Sequence, residues 1–381
     1  MTVTGIICEY NPLHLGHKKQ LDMVKQAFPE DGIVCLMSGN FVQRGKPAIV
    51  DKSIRAEAAV LCGADLVLEL PLTASLSSAE GFASEGVGLL GAFCDRLCFG
   101  AETADTPSLM DTAKALLSEE FSTHLAVQLD KGLSFPAARQ AALGAMGSSA
   151  DCLTQPNDIL ATEYCKAILS QNCKMKPMPI RRQGGYHDLL ADPENPSATA
   201  VRQLMLCSKA WLDYIPPEAR PCFRDAALHS PEAGERAILA KLRTMTDGEF
   251  EALPFGSEGL WRKLMHEARQ KATLEQILTA VKSKRYTRTR LDRMVMCAFL
   301  GLTNPDLNTP APYARVLAFN DKGREILKLA RQSGNFPNAG ARQEHPYQLL
   351  EDRAGALYGL FAENDPSAPT EEADRRVCYL P

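Results

Sequence analysis

No stretch of this chain approaches the roughly 20 consecutive apolar residues that a membrane-spanning helix needs. Its 45% hydrophobic content is therefore free to build a core. No basic region followed by an apolar stretch stands at the N-terminus, so no secretory signal and a cytoplasmic location are expected. Cys-x-x-Cys is missing although there are twelve cysteines; the closest pair is Cys94 and Cys98. Cys8, Cys35, Cys62 and Cys297 sit inside apolar runs, where cysteine behaves as a small buried hydrophobe. Reduced thiols and no protein-held metal are expected. A basic excess is also missing: the formal net charge is −4, which argues against non-specific nucleic-acid binding. A P-loop would need a Gly-rich run ending in Lys-Ser/Thr, and none occurs. Internal repeats and low-complexity tracts are absent.

What is present concentrates at the start. An apolar strand, Val3–Cys8, runs into Glu9-Tyr10-Asn11-Pro12 and then His14-Leu15-Gly16-His17, which opens a helical pattern. Two histidines three apart at a helix start share one face. The glycine between them lets a ligand approach the backbone closely. A helix N-terminus adds unpaired N–H groups and partial positive charge. The combination suits a polyphosphate, with two imidazoles to stabilise charge that develops as it is cleaved. A zinc site is the alternative, but zinc favours histidines four apart plus a third ligand.

Strands and helices then alternate: helix 17–27, strand 32–37, helix 52–62, strand 65–70, helix 79–90 and strand 95–99. Such alternation implies an α/β fold with a parallel, Rossmann-like sheet, and ligands bind beyond the carboxyl ends of its strands. Residues 107–171 read as successive helices, 175–182 as a strand broken by Pro177 and Pro179, and 183–196 as a polar loop. Ser197 is placed to cap a helix through Leu206. After about residue 208 helical periodicity dominates, with 313–318 a short strand candidate. A division follows into a nucleotide-binding domain, 1–207, and a mainly α-helical domain, 208–381. The tail from Asn364 is expected to pack loosely.

His14-Leu15-Gly16-His17 resembles the HIGH motif of the nucleotidyltransferase superfamily. Further segments narrow the likeness: Glu9-Tyr10-Asn11-Pro12, Ser38-Gly39-Asn40-Phe41-Val42-Gln43-Arg44-Gly45, and Gly63-Ala64-Asp65-Leu66-Val67-Leu68-Glu69-Leu70-Pro71. So do Phe99-Gly100-Ala101-Glu102, Pro156-Asn157-Asp158-Ile159-Leu160, and Gly185-Tyr186-His187-Asp188 with Ser197-Ala198-Thr199-Ala200-Val201-Arg202. Together they resemble the tRNA(Met) cytidine acetate ligase family. The resemblance implies a HUP-type domain that activates acetate with ATP, Mg2+ accompanying the nucleotide, and acetylates N4 of the wobble cytidine of elongator tRNA(Met). It implies catalytic roles for His14 and His17. It also implies ATP contacts along Ile7, Cys8, Glu9, Tyr10, Asn11, Pro12, His14, Gly16 and His17, and at Gly100, Asn157, Arg182, Ser197, Thr199 and Arg202. The 197–202 segment resembles the phosphate-gripping Ile-Ser-Ser-Thr-x-Ile-Arg signature of adenylyltransferases, but Pro196 and Ala198 depart from it. One phosphate-binding hydroxyl is thus in doubt.

Two basic clusters remain. Arg44, Lys46, Lys52 and Arg55 follow the second strand; their position beside the histidines favours phosphate or RNA, so Arg44, Lys52 and Arg55 are candidate tRNA contacts. Lys282, Lys284, Arg285, Arg288, Arg290 and Arg293 fall within twelve residues with Asp292 the only acid and Tyr286 among them. Lys284, Arg285 and Arg288 are candidates for the RNA backbone. Asp65 and Glu69 share one strand face; Asp65 is expected to organise the strand's start. Glu69 is expected to pair with Lys52 or Arg55, or else to serve as a base. The rival functions are an adenylyltransferase acting on a small phosphorylated precursor and a non-catalytic RNA-binding protein with a relic nucleotide site.

Overall fold

Side chains alternate along each central strand, and both sets are buried. In β1 (Val3–Cys8), Val3 and Ile7 enter one apolar cluster while Ile6 enters another. In β2 (Gly32–Ser38), Val34 and Leu36 join the first cluster, and Ile33, Cys35 and Met37 the second. A strand buried on both faces is what a parallel sheet between helical layers requires. The computed structural model describes residues 1–181, 196–364 and 368–381.

The remaining strands are β3 (Phe41–Val42), β4 (Lys46–Pro47), β5 (Leu66–Leu70), β6 (Arg96–Ala101), β7 (Lys176–Arg181), β8 (Val316–Phe319) and β9 (Cys378–Tyr379). The main sheet is seven-stranded in the order β7-β6-β1-β2-β5-β8-β9; β3 and β4 form a separate antiparallel hairpin. The β5–β8 pair is antiparallel and every other pair in the main sheet is parallel. Pro177 and Pro179 are tolerated because β7 is an edge strand, and residues two apart turn the missing N–H to the same outer side. Chain order reverses at β1, which pairs with β2 on one side and β6 on the other. The crevice for a ligand opens at the carboxyl ends of those two strands.

Capping sets the helices that face this crevice. Asp51 caps Lys52–Leu61, Ser78 caps Ala79–Gly91 and Ser197 caps Ala198–Leu206, each with a side-chain oxygen accepting from a first-turn N–H. Pro156 opens Pro156–Ser170 at a position where its missing N–H costs nothing. As expected, Asp65 organises the sheet: its carboxylate accepts from the Ile33 amide at 2.9 Å and from Asn320 Nδ2 at 2.9 Å. No helix among the described residues is long and apolar enough to cross a membrane.

The expected division at 207/208 needs correction. A third apolar cluster, built mostly of residues from Ile238 to Leu302, does form a helical body, but it also takes in Phe41 and Leu76 of the first half and Ala354, Tyr358 and Phe361. But β8 and β9 return to the sheet beyond β5. The helix Asp321–Ser333 lies so close to it that a Cβ on Gly323 would stand 1.9 Å from the Asp65 carbonyl oxygen. The cause is the unpaired edge of β5, which a sheet must cover. A chain of residues 1–207 alone should therefore expose that edge and aggregate or stay molten. Size exclusion and near-UV circular dichroism check this; a soluble, cooperatively melting fragment would restore the simple boundary.

Candidate active site

The histidine motif folds as a self-capped helix start. His14 is the N-cap of Leu15–Ala27 and its Nδ1 accepts from the Gly16 amide at 3.1 Å. The His17 Nδ1 accepts from the His14 amide at 3.3 Å. Imidazole here replaces the Ser/Thr–Glu pair of an ordinary capping box. A neutral ring whose Nδ1 accepts carries its proton on Nε2, so the capping pattern assigns that tautomer to both histidines. The rings stack with centroids 3.8 Å apart, and the Tyr10 ring lies 4.9 Å from that of His17. Gly16 leaves this stack room: a Cβ there would sit 3.1 Å from His14 Cε1, tighter than ordinary contact, so the ring would have to shift. Tyr10 is completely buried at φ 44°, in the left-handed region that non-glycine residues seldom adopt. The following Asn11–Pro12 bond is cis.

Neighbouring motifs hold this loop. Asn11 Oδ1 accepts from the Ile49 amide at 2.8 Å, and its carbonyl accepts from Arg202 at 2.6 Å. Arg202 also donates to Thr199 Oγ1 at 3.1 Å, and Ser197 Oγ caps the same helix through the Ala200 amide. Ser197, Thr199 and Arg202 are thereby brought against the histidine loop. Glu9 accepts from the Gln43 amide at 3.0 Å, fastening the β3–β4 hairpin beside it. Ile7 turns its side chain toward Gly86 on the far face, leaving only its backbone for the crevice. Burial pushes the Cys8 thiol well above its usual range, so Cys8 is no nucleophile. All twelve cysteines are free thiols.

On the other side of the crevice, Gly100 lies within β6, paired with Ile180. Asn157, at the start of Pro156–Ser170, donates from Nδ2 to Glu102 Oε1 at 2.6 Å. Arg182 and the 185–188 motif lie outside the described residues.

Two candidate tRNA contacts are corrected. Arg55 is 0% exposed, and its guanidinium donates to the carbonyls of Val50, Glu9, Ser38 and Gly39 at 3.0, 2.7, 3.0 and 2.5 Å. Lys52 is 4% exposed and bridges Glu69 at 2.6 Å and Glu372 at 2.8 Å. Burial withdraws both from RNA; they tie strand ends instead. Burial works against the Lys52 ammonium, yet Glu372 and Glu69 outweigh it and raise its pKa. Glu69 is pushed up to about 6 by burial, against the pull of Lys52, because it shares that cation with Glu372. The expected ion pair of Glu69 is therefore with Lys52 and not with Arg55. The described part of the tail is not loose either: Arg375 grips Asp51 through both terminal guanidinium nitrogens at 2.9 and 3.0 Å. Glu102, Gln43, Glu372 and Arg375 were missed as site-shaping residues. Only Glu102 and Gln43 carried a signal, by lying inside the family-like motifs.

The second basic cluster is less free than its composition implied. Arg288 is bound to Glu275 at 2.8 Å and Asp292 at 2.9 Å, and Arg285 to Glu258 at 2.9 Å. Arg290 donates to the Phe255 carbonyl, and Arg293 is largely buried, with its pKa lowered to about 10 by that burial. Lys282, Lys284 and Arg285 are exposed and Arg44 half-exposed. Gly45 at the hairpin turn, φ 70°, packs on the backbone of Arg293, so the hairpin and this helix form one continuous surface.

A stacked imidazole pair at a helix N-terminus, at the reversal of a parallel sheet, defines a nucleotidyl transferase site. The sequence model of the HIGH Nucleotidyl Transferase family matches residues 1–372. The tRNA(Met) cytidine acetate ligase of Clostridium novyi is 38% identical over 88% of this chain and 89% of its own length. That of Clostridium acetobutylicum is 35% identical over the whole of both chains. Thermotoga maritima TmcAL bound with alpha-thio ATP superposes with a TM-score of 0.88 at 29% identity, covering 100% of each chain. Its apo form gives 0.91 at 28% identity, again over 100% of both. The chain belongs to the tRNA(Met) cytidine acetate ligase family within the HIGH nucleotidyl transferases.

Two substitutions test the geometry. Gly16→Ala should turn the His14 ring and slow ATP-dependent activation about tenfold, because small misplacements of reacting groups are costly, with little change in melting temperature. Arg55→Lys keeps the charge but loses the fork. It should lower stability by about 2–4 kcal/mol, read from the denaturant midpoint; an unchanged midpoint would deny the staple.

Proposed function

We propose that this protein is an ATP-dependent acetate ligase that acetylates N4 of the wobble cytidine of elongator tRNA(Met). An acetate oxygen attacks the α-phosphorus of ATP; the bond to the β-phosphate oxygen breaks and pyrophosphate leaves. The cytidine N4 amine then attacks the acetyl carbon, the carbon–oxygen bond to AMP breaks, and the amine loses a proton. The observation that carries this reading is the His14–His17 stack, set at a helix N-terminus in a chain alike over its full length to an ATP-analogue-bound relative. Two Nε2–H donors and the first-turn amides supply preorganised positive potential for charge growing on the phosphates. Ser197, Thr199 and Arg202, joined to one another and to Asn11, are the proposed grip on the outer phosphates. Mg2+ would arrive with the nucleotide. Such an ion would be held mainly by phosphate oxygens and water.

Acetate-dependent exchange of pyrophosphate into ATP tests the first half-reaction. His17→Ala should reduce it by about 10²-fold or more, the effect of losing one oxyanion-type donor. Acetylation from acetyl-CoA without ATP would overturn the adenylate route. Nucleoside mass spectrometry of tRNA from cells with and without the protein tests the product.

The exposed face built by the β3–β4 hairpin and the 282–288 segment is the proposed tRNA surface, with Arg44, Lys284, Arg285 and Arg288 upon it. Lys282→Ala with Lys284→Ala should weaken tRNA binding and flatten its salt dependence by roughly 0.7–0.9 log units for each phosphate that a lysine no longer neutralises. ATP affinity should stay unchanged. Filter binding over a salt series separates the two; an unchanged slope makes the face merely solvated.

A further inference from the structure

Two cations on the helix Arg288–Leu300 lack a counter-charge. Arg290 and Arg293 lie one turn apart, and no carboxylate among the described residues pairs with either. The nearby acids are engaged elsewhere: Glu275 and Asp292 hold Arg288, and Glu258 holds Arg285 and the Tyr286 hydroxyl. Arg290 donates to the Phe255 carbonyl and to Ser257 Oγ, and lies over the Tyr286 ring at 5.0 Å. Arg293 lies over the Phe255 ring, also at 5.0 Å. Its Nε is buried with no partner, and its Nη1 reaches the Gln43 carbonyl only at 3.4 Å. Phe255 and Glu258 both stand at positive φ, 64° and 61°, so the loop around these arginines is strained as well. Aromatic faces soften such a charge without neutralising it. Two like charges held partly out of water, side by side, cost stability. Both side chains remain partly exposed, so an anion from outside the chain can reach them.

Arg293 also touches the crevice at one remove. Gln43 gives its carbonyl to Arg293 and its amide to Glu9 Oε1, the latter at 3.0 Å. Glu9 leads directly into Tyr10 and the histidine loop. Gly45 pins the hairpin to the same helix: a Cβ there would stand 2.4 Å from the Arg293 amide nitrogen. The hairpin cannot slide off the helix to escape a movement of the guanidinium. The surrounding charge favours a phosphodiester as the anion, because Lys282 and Lys284 are exposed nearby and one phosphate offers oxygens to two guanidinium groups. Resting on the tRNA reading above, we propose that a phosphate of bound tRNA docks on Arg290 and Arg293, and that Arg293 is a positioning residue. It passes this contact through Gln43 to Glu9 and the histidine loop, so tRNA speeds adenylate formation before it is itself acetylated.

The half-reaction that makes the adenylate consumes no tRNA, so an effect of tRNA upon it is coupling between sites. Acetate-dependent pyrophosphate exchange is measured against rising tRNA(Met) that carries uridine at the wobble position, whose 4-oxo group has no amine to acetylate. Wild-type exchange should rise about fivefold or more to a plateau. Arg293→Met keeps the apolar stem and removes the charge. Its plateau should fall to its own rate without tRNA. Its melting temperature should equal or exceed that of the wild type, because an unpaired, largely buried charge has gone. Arg293→Lys should recover part of the plateau. Lys282→Ala with Lys284→Ala should need more tRNA to reach the full plateau ratio, the behaviour of contacts that bind without positioning. An Arg293→Met protein that reaches the wild-type ratio at higher tRNA would reduce Arg293 to such a contact and overturn the proposal. A marked fall in its melting temperature would make the guanidinium a structural prop and overturn it too. Inorganic phosphate should not replace tRNA; if it does, the pair takes a free anion and the assignment to RNA falls. Wild-type exchange indifferent to tRNA defeats this inference alone; no exchange with or without tRNA defeats the functional reading as well.

Discussion

The buried guanidinium of Arg55 is the constraint on which the crevice depends. Carboxyl ends of parallel strands are the least determined part of such a sheet, because their last carbonyls find no further ladder partner. Here Glu9 beyond β1, Ser38 at the end of β2, Gly39 after it and Val50 before the next helix all send a carbonyl to one planar fork. The fork sets the separation of two loops at once: the one that leads to His14 and the one that makes the β3–β4 hairpin. Glu9 repeats the tie with its side chain, through the Gln43 amide. Lysine could donate to some of the same carbonyls but could not space them.

Around that staple, ionised groups are buried in numbers that only mutual pairing can support. Lys52 lies between Glu69 and Glu372, Arg375 holds Asp51, and Arg315 holds Glu351 at 2.7 Å. The carboxylates come from both ends of the chain. The sheet and the C-terminal segments are thus joined by charges that would be costly to separate, as well as by the apolar contact of Phe41 with Tyr358 and Phe361. Glu69 is pushed up to about 6 by burial, even with Lys52 beside it.

Much of this was legible. The strand–helix alternation of the first hundred residues, the strand ends as the place for function and the helix start at His14 all follow from local pattern, which depends on neighbours in sequence. Asp65 was readable as an organiser because it opens a strand. Lys52 and Arg55 were not. An exposed cation and a buried one look alike unless the partner is known, and the partners of Lys52 include a residue far away in the chain. The return of β8 and β9 was hidden for the same reason. A four-residue strand beside helices carries little periodicity, and only the open edge of β5 demands it. The tail misled through composition: prolines and charges suggest solvent, yet Glu372 and Arg375 are 2% and 8% exposed.

The bond from Lys52 to Glu372 spans 320 positions. A chain emerging from the ribosome at about 5–20 residues per second makes Lys52 early and its second counter-charge 320 residues later. Until then the ammonium can pair with Glu69 alone, Asp51 waits for Arg375, and the β5 edge has no cover. The completed crevice therefore waits on the segment that carries Glu372 and Arg375. A stop just before Glu372 would leave every strand of the main sheet except β9 made and the nucleotide site unlocked.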